Sequence, residues 1–225
     1  MRSGMGVKME SREILSHVDH TLLKACASWE EVAQLCREAV QFQTAGVCIP
    51  PCFVARAHEA FPGLNLCTVV GFPLGYSVTQ AKEAEVRQAL AEGCNEIDMV
   101  VNLTDVKDHR YDRVEAEIRR LREICKGHIL KVIIETCYLT GEEKIELCRI
   151  VTRAGADYIK TSTGFGTKGA ALEDVLLFRE HIGPQVKIKA AGGIRTREDM
   201  ERFLEAGCER IGSSAAVSLL REELE

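Results

Sequence analysis

The chain has 225 residues, of which 46% are apolar and only 5% aromatic. That is enough for one large core built mainly from Val, Ile, Leu and Ala, and a single (β/α)8 barrel needs roughly 250 residues. The formal charge of −5 is spread along the chain with no basic or acidic block, which argues against a nucleic-acid partner, and no stretch approaches the ~20 apolar residues that cross a membrane.

Residues 1–10 read as a flexible leader without the apolar run of a signal peptide. Beyond it, short apolar runs alternate with amphipathic stretches. The first half should contain strands at Ile14–Asp19, Gly46–Pro50, Leu66–Phe72 and Glu96–Asn102, separated by helices at Trp29–Gln43, Phe53–Ala60 and Thr79–Glu92. The second half continues with helix Arg113–Lys126, strand Lys131–Thr136, helix Glu142–Ala154 and strand Tyr158–Ser162. Helix Leu172–His181, strand Lys187–Ala191, helix Arg197–Ala206, strand Arg210–Ser213 and helix Ala215–Leu224 complete the order. Strict alternation through eight units predicts an α/β fold with a parallel sheet, and the lack of a break predicts closure into a single-domain (β/α)8 TIM barrel over residues 11–225.

Local signals agree. Ser28 with Glu31 and Thr140 with Glu143 have capping-box spacing, and Thr196 with Asp199 is a close variant. Glycine after a small residue or Glu ends four helices, at Gly46, Gly93, Gly155 and Gly207. The ten cysteines are spaced like small apolar residues, so reduced thiols and a cytoplasmic setting are expected. His17-x-x-His20 is too slight a pattern for a metal site, and no cofactor motif is present.

Charges in the strands carry the chemistry. Period-two alternation turns Glu96 and Asp98, Lys131 and Glu135, Lys160, and Lys187 and Lys189 into the barrel. The upper interior is then expected to hold Asp98, Glu135, Lys160 and Lys189, above a layer pairing Glu96 with Lys131 and Lys187. Buried charges are costly unless paired, so the cluster is either an ion-pair plug or an active site. Two lysines on adjacent strands oppose each other's protonation, and burial acts the same way. The result is a nucleophilic amine able to form an imine with a carbonyl. Asp98 could move protons beside it.

Glycine-bearing loops follow strands six, seven and eight: Thr161-Ser-Thr-Gly164-Phe165, Gly192-Gly193-Ile-Arg195 and Gly212-Ser213-Ser214. Loops at these positions commonly hold phosphate. Asp19 and Thr21 could meet substrate hydroxyls or cap a turn. Cys48 reads as a small buried side chain.

These segments resemble deoxyribose-phosphate aldolases from about Ile14 to Leu220. The matching motifs include Asp19-His-Thr-Leu-Leu23, Lys131-Val-Ile-Ile-Glu135-Thr, Tyr158-Ile-Lys160-Thr-Ser-Thr-Gly164 and Lys189-Ala-Ala-Gly-Gly-Ile-Arg195. The resemblance implies metal-free, reversible cleavage of 2-deoxy-D-ribose 5-phosphate to acetaldehyde and D-glyceraldehyde 3-phosphate. It implies that Lys160 forms the Schiff base, that Lys189 tunes it and that Asp98 relays protons. It also implies that Gly164, Gly192, Gly193, Gly212, Ser213 and Ser214 cradle the phosphate, with Thr161, Thr21 and Asp19 nearby, in a homodimer or homotetramer. Some relatives have a lysine where this chain has Phe165, so that phosphate partner is missing or replaced, with Arg195 as the candidate. The tyrosine-bearing tail of some relatives has no counterpart in Arg221–Glu225. Another imine-forming sugar-phosphate barrel, or a non-catalytic binding barrel, would fit the same charges.

Overall fold

Residues 9–225 are described by the computed structural model. Its strands are β1 Val18–Thr21, β2 Gly46–Ile49, β3 Leu66–Val70, β4 Glu96–Val100, β5 Ile129–Ile133, β6 Tyr158–Lys160, β7 Lys187–Ala191 and β8 Arg210–Ser213. They pair in parallel in sequence order, and β8 closes on β1. Around them lie helices α1 Ser11–Ser16, α2 Trp29–Phe42, α3 Val54–Ala60, α4 Thr79–Ala91, α5 Leu103–Lys107, α6 Tyr111–Ile124, α7 Gly141–Ala154, α8 Leu172–His181, α9 Arg197–Glu205 and α10 Ala216–Leu220. The expected (β/α)8 barrel is thus the observed one.

Two apolar patterns build it. The outward strand positions, such as Ile97 and Met99 or Ile159 and Ile188, are buried against helices whose own apolar residues recur at helical spacing, as Val32, Leu35, Cys36 and Ala39 do in α2. Burying each large side chain contributes roughly 1.5–3 kcal/mol. This outer layer therefore carries most of the hydrophobic stabilisation. The inward positions are different. Their separate apolar cluster is small, with Cys48, Cys67 and Val69 at its centre, and much of the remaining interior is charged.

Several local expectations need correction. Residues 14–16, expected to begin the first strand, belong to α1, and β1 starts only at Val18. Ser11, Ile14 and Leu15 are the buried residues of that segment, a helical spacing too short to separate from alternation by pattern. Of the expected leader, residues 1–8 lie outside the described residues, while Arg197 donates to the Met9 carbonyl. Both capping boxes form, and Thr196 accepts from Asp199 N without the return bond. Gly93, Gly155 and Gly207 take positive φ as expected, but Gly46 does not. There α2 ends on a left-handed Gln43, and Gly46 instead allows close approach, since a Cβ would sit 2.7 Å from the Asn65 carbonyl oxygen. All ten cysteines are free thiols, and no described helix is long and apolar enough to cross a membrane.

One buried residue outside the barrel steadies the strand that carries Asp98. Lys82 of α4 is fully buried, donates to the Val100 carbonyl at 2.9 Å and pairs with Glu117 at 2.7 Å. It ties α4 and α6 to the upper end of β4.

Candidate active site

The parallel register sets Lys160, Lys189 and Arg210 side by side on β6, β7 and β8. It sets Lys131 beside Asp98 across β5 and β4. The four cations face three buried carboxylates, Asp19, Glu96 and Asp98. Asp98 is the hub. Its Oδ1 accepts from Lys131 at 2.8 Å and from the Cys67 thiol at 3.1 Å. Its Oδ2 accepts from Lys160 and from Lys189, each at 2.7 Å. Lys189 also pairs with Asp19. Arg210 bridges Asp19 and Glu96, and Glu96 accepts from Asn65 at 2.8 Å.

Burial pushes the Asp98 carboxyl up, but Lys131, Lys160 and Lys189 outweigh it and hold the group well below the usual carboxylate range. Asp19 behaves alike, with Lys189, Lys131 and Arg210 overcoming burial. Burial lowers Lys189, yet Asp19 and Asp98 hold it well above the usual lysine value, so it remains an ammonium. The depressed carboxyls predict acid lability. Their contribution is complete above the unfolded carboxyl value and is lost progressively as pH falls from there toward the lowered folded values, so the unfolding midpoint should begin to drop below about pH 4. A midpoint unchanged from neutral pH to pH 3 would contradict this ion network.

Among these cations only Lys160 reaches the open cleft. That cleft, about 450 Å³, lies at the C-terminal ends of the strands and is lined by Lys160 with Thr21, Gly164, Gly192, Gly193, Gly212, Ser213 and Ser214. Lys24 and Arg195 line it as well, and no carboxylate among the described residues does. A cationic cleft in a chain of net charge −5 suits an anionic ligand. Gly164, Gly192 and Gly193 all have positive φ, and the loops after β6 and β7 meet closely, with a Cβ on Gly192 only 3.3 Å from the Gly164 Cα. Side chains here would fill the space that an anion needs beside backbone N–H groups.

Some expected site residues stand away from the cleft, and others reach it with their hydroxyls already engaged. Thr161 is buried and its hydroxyl stitches β6 to β7 by donating to the Ala191 carbonyl at 3.2 Å and accepting from Ala191 N at 3.1 Å. Asp19 lies beneath Lys189, fully buried, and does not line the cleft. The Thr21 hydroxyl donates to the Asp19 carbonyl at 2.7 Å. Ser213 reaches the cleft, but its hydroxyl donates to the Ile194 carbonyl at 3.0 Å. Lys187 is not inside. It is the first residue of β7, its side chain is half exposed, and it pairs with Glu209 at 3.1 Å while Arg210 sits on Glu96.

Glu135 is the second parity failure. β5 ends at Ile133, and Glu135 adopts φ 53°, so its side chain leaves the strand pattern. It accepts from the hydroxyl and backbone N of Thr163 rather than pairing with a lysine. Burial pushes its carboxyl up against those bonds. Glu135→Ala should therefore cost about 1–3 kcal/mol in denaturant unfolding, by stranding a buried N–H and hydroxyl, without moving the pH–rate profile. Unchanged stability would remove this bracing role.

Two donor groups cluster closely enough for a metal among the described residues: Cys48, Cys67 and Asp98, and Asp19, Cys67 and Glu96. Their carboxylates are already bonded to Lys131, Lys160, Lys189 and Arg210, whose charge opposes a cation. His17 and His20 are not part of either group: His17 contacts the Glu209 carbonyl and His20 pairs with Glu38. Sequence reasoning missed Cys67, Arg210 and Lys24. Strand parity points to the first two, whereas Lys24 is on a loop with no such signal.

The model of the DeoC/LacD family aldolases matches residues 13–223. Among curated proteins, a deoxyribose-phosphate aldolase of Clostridium botulinum strain Alaska E43 is 60% identical, covering 96% of this chain and 98% of its own. One from Clostridioides difficile strain 630 is 51% identical over 94% and 97%. A solved tetrameric deoxyribose phosphate aldolase from Aeropyrum pernix superposes with a TM-score of 0.88 at 32% identity, covering 96% of this chain and 93% of that one. Fold, charged interior and near-complete matches converge, and the chain belongs to the DeoC/LacD family of aldolases.

Proposed function

We propose that this chain reversibly cleaves 2-deoxy-D-ribose 5-phosphate into acetaldehyde and D-glyceraldehyde 3-phosphate through an imine on Lys160. The observation that carries this reading is that Lys160 alone among the interior cations opens onto the cleft, while sharing Asp98 Oδ2 with Lys189. Attack on the C1 aldehyde requires a neutral amine.

Lys160 adds to C1, and loss of water gives the protonated imine. The C2–C3 bond then breaks as the C3 hydroxyl loses its proton. Its electron pair flows into the iminium, releasing D-glyceraldehyde 3-phosphate and leaving an enamine. Protonation at C2 and hydrolysis release acetaldehyde and restore Lys160. Lys189, Asp98 Oδ2 and Lys160 form a path of two 2.7 Å hydrogen bonds. In it Asp98 is the proton conduit and Lys189 the fixed ammonium that holds its carboxylate in place. No step draws on a metal. The glycine-lined loops would hold the 5-phosphate at the rim, fixing C1 over the amine.

Turnover of 2-deoxy-D-ribose 5-phosphate far above that of fructose phosphates is the expected assay result; the reverse preference would retire the substrate. Lys189→Leu leaves three interior cations facing three carboxylates. Loss of this like charge, which shares Asp98 Oδ2 with the amine, should move the acidic limb of the kcat/KM profile to higher pH, and the rate should fall about 10²–10⁴-fold. An unmoved limb would dismiss Lys189 from this role. A homo-oligomer working in the cytoplasm, in the service of deoxyribose phosphate breakdown, completes the proposal. Its support is the tetrameric relative and the ten free thiols.

A further inference from the structure

A phosphate monoester approaches two negative charges at neutral pH. In this cleft the loop after β6 presents Phe165, an exposed aromatic edge-on to Phe72 with ring centroids 5.4 Å apart. Lys168, further along the same loop, lines a different groove beside Lys144 and Asp174. Apart from the reacting amine, the cleft's cations among the described residues are Arg195 and Lys24. Lys24 belongs to the loop after β1. Because β1 pairs with β8, with Asp19 opposite Gly212 and His20 opposite Ser213, that loop borders the Gly212–Ser214 segment.

We propose that Lys24 is the second phosphate-binding cation of this site, exchanging Glu31 for the substrate phosphate when the sugar binds. Lys24 is exposed and pairs with Glu31, itself exposed. Such pairs are weak, so little opposes the exchange for a charge-assisted bond to a dianion. Glu31 cannot follow the lysine, because its other oxygen accepts from Ser28 N at 2.9 Å and from the Ser28 hydroxyl at 3.1 Å in the capping box of α2. The cap thus parks Lys24 in the wall of the cleft that Phe165 also lines.

The inference rests on reading the cleft as a phosphosugar site, and Lys24→Met tests it with two readouts. The first is KM for 2-deoxy-D-ribose 5-phosphate. It should rise roughly 10- to 100-fold with kcat little altered, and the preference in kcat/KM over unphosphorylated 2-deoxyribose should fall by the same factor. The second is calorimetric affinity for inorganic phosphate, which should weaken at least about 10-fold. Equal losses on both sugars, or phosphate affinity equal to wild type, would overturn the role of Lys24. If wild type binds phosphate through Lys24 yet does not cleave the sugar phosphate, the proposed reaction fails and this inference stands. If wild type does not bind phosphate, this inference fails whatever the turnover.

Discussion

Lys160→Leu should lower cleavage of 2-deoxy-D-ribose 5-phosphate by at least about 10⁴-fold, the scale of losing a covalent nucleophile. It should do so while leaving the barrel folded. Lys160 is the surplus cation, so its removal leaves Asp19, Glu96 and Asp98 facing Lys131, Lys189 and Arg210. Asp98 keeps two ammonium partners. Unfolding by denaturant should therefore change by no more than about 1 kcal/mol, within the range of a volume-matched hydrophobic replacement. A variant retaining a tenth of the wild-type rate would place the chemistry elsewhere. One that fails to fold would mean that Lys160 is needed as an ion-pair member after all.

Asp98→Asn should have the opposite balance of effects on stability and chemistry. Asp98 contacts three ammonium groups, and it is the one carboxylate within 4 Å of Lys160 among the described residues. An amide keeps the shape but leaves four buried cations with two carboxylates. Breaking buried pairs from one side costs about 3–5 kcal/mol, so the unfolding midpoint should drop markedly. Catalysis should fall about 10²–10⁴-fold through loss of the relay. The lesion should lie in proton transfer, so exchange of the acetaldehyde methyl protons with solvent should slow in step with cleavage. Wild-type exchange in Asp98→Asn would show that protons reach C2 by another path.

The barrel was readable from the chain because its outer face is patterned by two periods that seldom coincide, two in the strands and 3.6 in the helices. Ser11–Ser16 escaped because six residues do not separate those periods. In the interior, parity placed Glu96, Asp98, Lys131, Lys160 and Lys189 as found, since all five lie on paired strands. It failed at Lys187 and Glu135 for related reasons. Lys187 opens its strand, and its flexible stem carries the ammonium out to Glu209. Glu135 lies beyond the last paired residue of β5, where a left-handed backbone turns it toward Thr163. Alternation speaks only for residues held in a ladder. Loop residues such as Lys24 and Thr163 have no period at all, and their roles emerge only when the loops come together over the cleft.

Borohydride reduction in the presence of 2-deoxy-D-ribose 5-phosphate or acetaldehyde, followed by peptide mass mapping, tests imine chemistry at Lys160 most directly. With acetaldehyde, an ethyl adduct on Lys160 is expected, stoichiometric with lost activity and absent from Lys189 and Lys131, whose ammonium groups are held protonated by Asp19, Glu96 and Asp98. No adduct, or one on another lysine at comparable yield, would contradict the assignment of Lys160 as the reactive amine.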